Sequence, residues 1–368
     1  MTSLRLLADD LTGALDTAAE LVGLAGPVHA FWHGALPPNL PPNAAIDSGT
    51  RELDPGDAVS VTTTLAPALA EADIAFKKID SLMRGPTLAE VAACLRNGTW
   101  ERAIMAPAFP YQGRVTRGGV QHASDGQGRW VPVGGDIVRR LQDEGVRAQE
   151  GRLGAELPPG ISVFDAETDA ELGQIAAACR AIGGSVLWVG TGGLAQALAN
   201  GRGAEAATPL QEPLLGLFGS DQAVTEGQLL ACGPDWLRLR DGGPVEAAAL
   251  RARLQTNGRA MASLQLPKGI ARAAAAERIA AELDRLVQDL PRPGTLIVAG
   301  GETLRGLCVR LGAQSLEVQG RIVPGLPRSV MRGGKWDGVT VVSKSGAFGT
   351  PNLLRDLLGR SLTTERAV

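Results

Sequence analysis

The sequence lacks the groupings of cysteine and histidine that hold metal ions or build disulfide frameworks. Its four cysteines are widely separated, and each lies in an apolar run: Cys94, Cys179, Cys232 and Cys308. None belongs to a CxxC pair, and none lies near the histidines His29, His33 and His122. We therefore expect small, buried cysteines, and we assign no metal-ligating residue to the chain.

Long apolar runs and a strong net charge are also absent. No run approaches the length that spans a bilayer, and the start of the chain, "MTSLRLLADD", has neither a signal-peptide core nor a cleavage site. A formal net charge of −3 gives no electrostatic reason to expect a nucleic acid as partner. We expect a cytoplasmic protein that binds small molecules and neither nucleic acid nor membrane, with a homodimer left open.

Aromatic residues are scarce, at 4% of the chain, so Ala, Leu and Val must fill most of the core. Apolar residues make up 44% and charged residues 20%, a balance typical of a globular protein. A chain of 368 residues is too long for one ordinary core, and this length predicts two domains.

Short apolar runs alternate with longer helical patterns on both sides of a segment rich in Gly, Pro and charge at 200–213. We predict strands at 4–8, 72–77, 102–106, 161–166, 185–190, 214–220, 259–266, 294–301 and 339–346. This alternation is typical of α/β domains with mainly parallel sheets. The fold class is therefore predicted as two α/β domains, residues 1–205 and 206–368, with an interdomain active-site cleft.

Lysine is rare in this sequence, with five lysines among 36 basic residues, yet Lys77 and Lys78 are adjacent. Lys77 ends a predicted strand, and Lys78 follows it ahead of Asp80, Ser81 and Arg84. Other polar residues follow neighbouring predicted strands: Asp9 and Asp10 after the first, and Arg114 after the strand at 102–106. Because ligands bind outside the carboxyl ends of parallel strands, we expect these residues to lie together.

Each of these features also has an ordinary structural explanation. An aspartate before a helix commonly caps it, and a lysine pair commonly lies on a solvated surface. Their arrival at consecutive strand ends favours a site instead. Lysine and arginine beside a helix start suit an anionic group, with arginine able to hold a carboxylate through two hydrogen bonds. A nearby aspartate can accept a proton from a hydroxyl, so the pattern indicates a hydroxy acid as ligand.

The second half carries three glycine-bearing loops at strand ends: "LFGSDQAVTEGQ", "VAGGETLRG" and "VSKSGAFGTPN". Glycine lets backbone N–H groups approach a ligand, and helix starts favour phosphate oxygens, so these loops indicate a nucleotide site. No G-x-x-x-x-G-K-[ST] motif is present, which excludes a Walker A loop. We predict helix N-caps at Thr303 and Thr350.

One further glycine motif competes for the nucleotide. The stretch "SVLWVGTGGLAQAL" places Gly190, Gly192 and Ala195 in a loose match to the dinucleotide fingerprint. No strand ending in an acidic residue follows about 20 residues later, so a tight turn that packs helix on strand is the favoured interpretation.

The motifs of both halves resemble the four-carbon acid sugar kinase family over most of the chain. "ADDLTGALDTA", "KKIDSLMRG" and "APAFPYQGRVTRGG" are similar to the family's sugar-domain motifs, and "IDSGTREL" matches only partly, because Gly49 and Thr50 separate Ser48 from Arg51. "GSDQAVTEGQ", "GGET" and "KSGAFG" are similar to its nucleotide-domain motifs. The segment "GGVQHASDGQGRWVPVGGDI" departs from the His-Pro-rich stretch usual in the family.

The resemblance implies ATP-dependent phosphorylation, with Mg²⁺ as cofactor, of a short acid sugar such as erythronate, threonate or 3-oxo-tetronate. It implies an N-terminal acid-sugar-binding domain and a C-terminal nucleotide-binding domain. The residues implied are Asp10 and Asp80 for catalysis; Asp9, Arg51, Lys77, Lys78, Ser81, Arg84 and Arg114 for the substrate; and Ser220, Gly300, Gly301, Glu302, Thr303, Lys344, Ser345 and Gly346 for the nucleotide. Asp10 is the favoured base, with Asp80 as the alternative.

Two other functions stay open at this point. A non-catalytic two-domain protein could bind a metabolite as a sensor, although such a protein would have little need of phosphate-binding loops. An NAD-dependent dehydrogenase could use Gly190 and Gly192. The divergent segment after Arg114 leaves the identity of the acid sugar undetermined.

Overall fold

The computed structural model describes residues 2–34, 36–182, 184–203, 205–206, 209–219, 222–267 and 269–359. The chain divides into two compact units. The first comprises Met1–Ala204 with Val318–Gly320, and the second comprises Glu205–Glu317 with Arg321–Val368. Within the part of the chain described, no helix is both long and apolar enough to cross a membrane.

The first unit is built on a sheet of parallel strands. Its described strands are β1 Leu4–Ala8, β2 Val28–Trp32, β3 Asn43–Asp47, β4 Ile74–Lys78, β5 Arg102–Ala106, β9 Ala148–Glu150, β10 Gly160–Val163 and β11 Val186–Gly190, in the order β2-β3-β1-β4-β11-β5-β10-β9. Every neighbouring pair in this order is parallel. Strands such as "LRLLA" of β1 are buried along their whole length, as parallel strands covered on both faces must be.

Helices connect these strands. They are α1 Leu11–Ala25, α2 Pro55–Leu65, α3 Thr87–Asn97, α4 Ile137–Asp143, α5 Asp169–Arg180 and α6 Gly192–Ala199, with 3₁₀ turns at Ala66–Glu71 and Pro110–Gln112. The core between helices and sheet is aliphatic, as the scarcity of aromatic residues predicts. Leu7, Leu69, Val91, Met105 and Leu187 are among its buried members.

The stretch after β5 differs from the prediction, which treated it as a loop. It forms a small antiparallel sheet of β6 Arg114–Arg117, β7 Val120–Ser124 and β8 Trp130–Val133. The tight turn between β6 and β7 uses Gly118 and Gly119, both with positive φ. We refer to these three strands as the hairpin sheet.

The second unit has a smaller mixed sheet. Its described strands are β12 Leu214–Phe218, β13 Trp236–Leu239, β14 Arg259–Leu264, β15 Thr295–Ala299, β16 Ser315–Val323, β17 Leu326–Arg332 and β18 Thr340–Lys344, in the order β13-β14-β12-β15-β18-β17-β16. The pairs from β13 to β18 are parallel, and β17 pairs antiparallel with β18. The predicted α/β class with mainly parallel sheets is confirmed.

The helices of this unit are α7 Ala223–Ala231, α8 Pro244–Asn257, α9 Arg272–Asp289, α10 Gly301–Arg310 and α11 Leu353–Leu358, with a 3₁₀ turn at Gly233–Asp235. The predicted N-caps at Thr303 and Thr350 are wrong. Gly300 precedes α10 and Thr303 lies in its first turn, while α11 is preceded by Asn352. At Gly300 the positive φ of 98° brings the chain into the helix without a side-chain cap.

Candidate functional site

The predicted polar cluster of the first unit lies at the carboxyl edge of its sheet, where strand order reverses. β1 has β3 on one side and β4 on the other, so the loops that follow these three strands begin side by side. Asp9 and Asp10 follow β1, Arg51 lies in the loop after β3, and Asp80 follows β4. A reversal of this kind leaves a crevice in which ligands bind in parallel sheets.

Arg51 joins the three loops through its guanidinium group. Its Nε donates to Asp9 Oδ2 at 2.7 Å, and its Nη2 donates to Asp9 Oδ1 at 2.9 Å and to Asp10 Oδ1 at 2.8 Å. Asp80 Oδ1 lies 3.6 Å from the same Nη2. Burial alone would lower the pKa of Arg51, but Asp9 and Asp10 raise it well above its ordinary value. The guanidinium therefore stays charged and fixes the geometry of three carboxylates.

The three carboxylates differ in basicity. Burial would raise the pKa of each, but Arg51 and Lys78 hold the pKa of Asp9 below its ordinary value. Arg84 and Arg51 hold the pKa of Asp80 well below its usual range. At Asp10, burial and the neighbouring Asp9 charge outweigh Arg51, and the pKa is raised. Asp10 is also the most exposed of the three, at 17%, so it is the best proton acceptor among them.

Asp10 also caps α1, and Lys78 lies over the same helix start. Asp10 Oδ1 accepts from the backbone N–H of Gly13 at 2.8 Å. A Cβ atom built on Gly13 would lie only 2.9 Å from Lys78 Nζ, so glycine at this position makes room for the ammonium group. Lys78 is 6% exposed and donates to the carbonyl of Ile79 at 2.8 Å. The structure thus brings Lys78 to the predicted site.

Lys77 points to the opposite face of the sheet, because successive side chains of a strand alternate. Its Nζ donates to Glu90 Oε2 of α3 at 2.7 Å, and both side chains are 1% exposed. Burial opposes the charge of Lys77, but Glu90 raises its pKa above the ordinary value. This pairing favours a structural role, and the contact of Lys77 with substrate stays a prediction.

The loop after β4 is shaped around Asp80. Its carboxylate accepts from the backbone N–H groups of Leu82 and Arg84, both at 3.1 Å, and from Arg84 Nη2 at 2.6 Å. Met83 adopts a positive φ of 54°, which is uncommon for a side chain of its size. A Cβ atom on Gly85 would lie 2.4 Å from the carbonyl oxygen of Arg51, so the loops after β3 and β4 are in close contact.

Arg84 and Arg114 are two further basic side chains of this cluster, and both have donors left for a ligand. The Arg84 side chain is 56% exposed. Arg114 begins β6 and donates to the carbonyl of Gln112, and its Nε is buried without a hydrogen-bond partner in the described part of the chain. Burial and the proximity of Arg84 lower the pKa of Arg114, while Asp80 opposes this shift. Ser81, three residues before Arg84, is half-buried.

In the second unit, Lys344 ends β18 and is 1% exposed. Its Nζ donates to Thr225 Oγ1 at 3.1 Å and to the carbonyls of Ser345 at 2.9 Å and Gly346 at 3.3 Å. No carboxylate pairs with it among the described residues, and burial lowers its pKa to about 8. Lys344 is therefore a buried cation whose hydrogen-bond partners, among the residues that the structure describes, are all neutral.

Lys344 also orients the loop that follows it. In a trans peptide the C=O and the next N–H point in opposite directions. Because the carbonyls of Ser345 and Gly346 turn towards the ammonium, the N–H groups of Gly346 and Ala347 turn away from it. Neither donates a hydrogen bond to any described residue. Two adjacent donors and a nearby positive charge are what a phosphate group requires.

The remaining predicted nucleotide residues that the structure describes lie around α10. The N–H of Gly300 donates to the carbonyl of Lys344 at 2.9 Å, which joins this loop to the end of β18. A Cβ atom on Gly219 would lie 2.7 Å from Thr303 Oγ1, so β12 also ends close to α10. Glu302 is exposed and pairs with Arg305 at 2.7 Å. Gly301 begins the helix, and Ser220 lies outside the described residues.

The space beside the glycines of the competing dinucleotide motif is filled by neighbouring protein atoms. A Cβ atom on Gly190 would lie 2.8 Å from the carbonyl oxygen of Ala106, and one on Gly192 would lie 2.9 Å from the ring of Phe109. Thr191 caps α6 and donates through its hydroxyl to the carbonyl of Ala108 at 2.8 Å. These contacts favour the predicted packing turn over a dinucleotide site.

The sequence matches two family models. That of a sugar-binding N-terminal domain covers residues 4–140, and that of a nucleotide-binding C-terminal domain covers residues 215–354. Together they account for most of the chain, and each falls on one of the two clusters of predicted site residues.

The similarity to known proteins extends over nearly the whole chain. A D-threonate kinase of Bordetella bronchiseptica is 27% identical, over 95% of this chain and 95% of its own. A 3-oxo-tetronate kinase of Pseudomonas fluorescens is 27% identical, over 96% of each. A solved structure of a Haemophilus influenzae protein is 20% identical and covers 97% of this chain and 99% of its own, with a TM-score of 0.71, which shows a shared fold.

The buried Lys77–Glu90 pair gives a test of the two roles of Lys77. We expect Lys77→Met to lower the free energy of unfolding by about 3–5 kcal/mol, because Glu90 is left buried without a partner. The double variant Lys77→Met with Glu90→Leu should recover most of that loss in urea titrations. If the double variant is stable but its KM for the acid substrate rises about tenfold or more, Lys77 contributes to substrate binding.

Proposed function

Because the chain belongs to the four-carbon acid sugar kinase family, we propose that it transfers the γ-phosphate of ATP to a hydroxyl group of a short acid sugar. The acceptor class is a four-carbon aldonate or 3-oxo-aldonate, such as threonate, erythronate or 3-oxo-tetronate. The similarity to a D-threonate kinase and a 3-oxo-tetronate kinase supports this class. Residues 1–205 would bind the acid sugar and residues 206–368 the nucleotide.

The observation that supports this function most strongly is the contrast between acids and bases at one sheet edge. Arg84 and Arg114 offer guanidinium groups to a carboxylate, and Asp10 offers a carboxylate of raised pKa to a hydroxyl. A hydroxy acid carries both groups on one small molecule. We assign the substrate carboxylate to Arg84 and Arg114, its hydroxyls to Asp9, Lys78 and Ser81, and the proton to Asp10.

Asp80 is better suited to positioning than to proton transfer. Its carboxylate is occupied by Arg84 and by two backbone N–H groups, and its pKa is held low. A low pKa weakens a carboxylate as a base. Of the two predicted catalytic residues we therefore keep Asp10 as the base, and we give Asp80 the task of orienting Arg84.

The nucleotide phosphates would bind the N–H groups of Gly346 and Ala347, with the charge of Lys344 behind them. Gly300 and Gly301 bring the start of α10 to the same strand ends. Mg²⁺ is expected to arrive with ATP, because Mg²⁺ in such sites is held by phosphates and only one or two carboxylates. Phosphoryl transfer requires nucleotide and acid to meet, and the predicted cleft between the domains stays a prediction.

A panel of acceptors tests the function. We expect ATP consumption with four-carbon acid sugars and none with the matching neutral sugar alcohols. Arg84→Met should raise the KM for the acid by about 10–100-fold and leave the KM for ATP unchanged, because a bidentate contact to the carboxylate is lost.

Arg129→Met is the matched control for Arg84→Met. Arg129 also pairs with an aspartate four residues earlier, Asp125, but it lies in the turn between β7 and β8 of the hairpin sheet. Binding of acid sugars without turnover would instead support a sensor. Thermal stabilisation by NAD and not by ATP would support a dehydrogenase.

The base assignment is tested by Asp10→Asn. Asparagine still caps a helix, so folding should be preserved while kcat falls by about 10²–10⁴-fold. In the wild type, kcat should rise with pH as Asp10 loses its proton, with a midpoint above the ordinary carboxylate range, because its pKa is raised. Asp73→Asn, at the other end of β4, is the control. Near-normal kcat in Asp10→Asn combined with a large loss in Asp80→Asn would reverse the two roles.

The charge of Lys344 predicts a pH dependence for nucleotide binding. Its pKa in the folded protein is about 8, so the ammonium loses its charge as the pH rises through 8, and ATP affinity should fall over that range. Lys344→Met should weaken ATP binding about tenfold at pH 7 and abolish this dependence. Lys335→Met is the control, since Lys335 also donates to two backbone carbonyls. Equal ATP affinity at pH 7 and pH 9 in the wild type, measured by calorimetry, would contradict the prediction.

A further inference from the structure

Gln121 of β7 is a fully buried amide that lies between two loops of the candidate acid-sugar site. Its Nε2 donates to the carbonyl oxygen of Ser81, in the loop after β4, at 3.0 Å. The same nitrogen donates to the carbonyl oxygen of Pro107, directly after β5, at 3.1 Å. The first loop carries Ser81 and Arg84, and the second leads to Arg114 at the start of β6. Gln121 belongs to neither loop.

Thr116 fixes the orientation of this amide. It lies directly opposite Gln121 in the register of β6 and β7, is fully buried, and donates through its hydroxyl to Gln121 Oε1 at 2.8 Å. The backbone N–H and carbonyl of Thr116 both form hydrogen bonds with the backbone of Ala166. Carbonyl oxygens only accept hydrogen bonds, so this arrangement requires two N–H donors on one atom and an acceptor beside them. Among side chains of this length, glutamine alone provides that set.

The amide links the two guanidinium groups assigned to the substrate carboxylate. Arg84 lies three residues after Ser81, and the backbone of Arg114 pairs with Phe109, two residues after Pro107. Arg84 and Arg114 repel one another, and among the described residues Asp80 is the acid that interacts with both. The amide adds a neutral link from the hairpin sheet between the two backbone segments that lead to these guanidinium groups.

We propose that Gln121 is a positioning residue that sets the spacing of Arg84 and Arg114, and with it the length of acid sugar that the site accepts. The proposal rests on the function given above for the first unit. It assigns to the hairpin sheet a part in substrate selection through a residue that does not touch the substrate.

The test compares four variants. Gln121→Met keeps the length of the side chain and removes all three hydrogen bonds. Thr116→Val leaves both carbonyl contacts but removes the donor that orients the amide, and Thr116→Ser retains that donor. Gln149→Met removes a comparable amide, which donates to Ser162 Oγ at 2.9 Å. Gln149 belongs to the edge strand β9, which is separated from β5 by β10.

We expect Gln121→Met to raise the dissociation constant of the four-carbon acid by about tenfold or more and to leave the KM for ATP within about twofold. The same variant should also lower the ratio of the dissociation constant for a five-carbon acid to that for a four-carbon acid. Thr116→Val should show a smaller change of the same kind, whereas Thr116→Ser and Gln149→Met should behave as the wild type. If Gln121→Met does not fold, the Thr116 pair decides the outcome.

Two results would overturn the proposal: an unchanged dissociation constant in Gln121→Met and Thr116→Val, or an equal loss for the acid and for ATP. The dissociation constants are measured by calorimetry without nucleotide. A wild type that binds the acids but transfers no phosphate would therefore refute the kinase function, while the affinities of the variants would still decide the role of Gln121.

Discussion

The site of the first unit depends on the ion pairs that the Arg51 guanidinium forms with nearby carboxylates. This guanidinium holds Asp9, Asp10 and Asp80, which come from loops far apart in the sequence, within one charged group's reach. Three carboxylates at this distance would repel one another and bind protons without it. Arg51 therefore connects the three carboxylates of the crevice. Together with Lys78 and Arg84 it sets the order of pKa values that leaves Asp10 as the most basic of the three.

The two candidate sites use positive charge in different ways. In the first unit, Arg51, Lys77 and Arg84 each pair with a carboxylate. In the second unit, Lys344 has no acidic partner among the described residues and is surrounded by carbonyl and hydroxyl oxygens. Burial of an unbalanced charge is costly, and a bound phosphate would reduce that cost. The pattern suits a small, geometrically defined acid in one unit and a highly charged ligand in the other.

Local patterns in the sequence predicted most of the fold, and non-local pairing accounts for most of what they missed. Alternating strands and helices predicted the α/β class. A cap before α1 was recognised only as the ordinary alternative to a site, and Asp10 forms that cap. Arg51 was supported only by a partial motif, because its partner Asp9 is set by the adjacency of β3 and β1. The strands of the hairpin sheet were not predicted, because the glycines and polar residues in that stretch are typical of a loop. Gln121 carries no sequence signal, since its partners are backbone carbonyls of distant loops.

The adjacent lysines of β4 serve opposite faces of one strand, Lys77 towards α3 and Lys78 towards α1. Side-chain direction alternates strictly along a strand, so inserting or deleting a single residue in β4 would turn both ammonium groups to the wrong side. Glu90 would then be buried without a partner, and the start of α1 would lose its cation. We therefore expect this short strand to tolerate substitutions at its other positions far better than any change in its length.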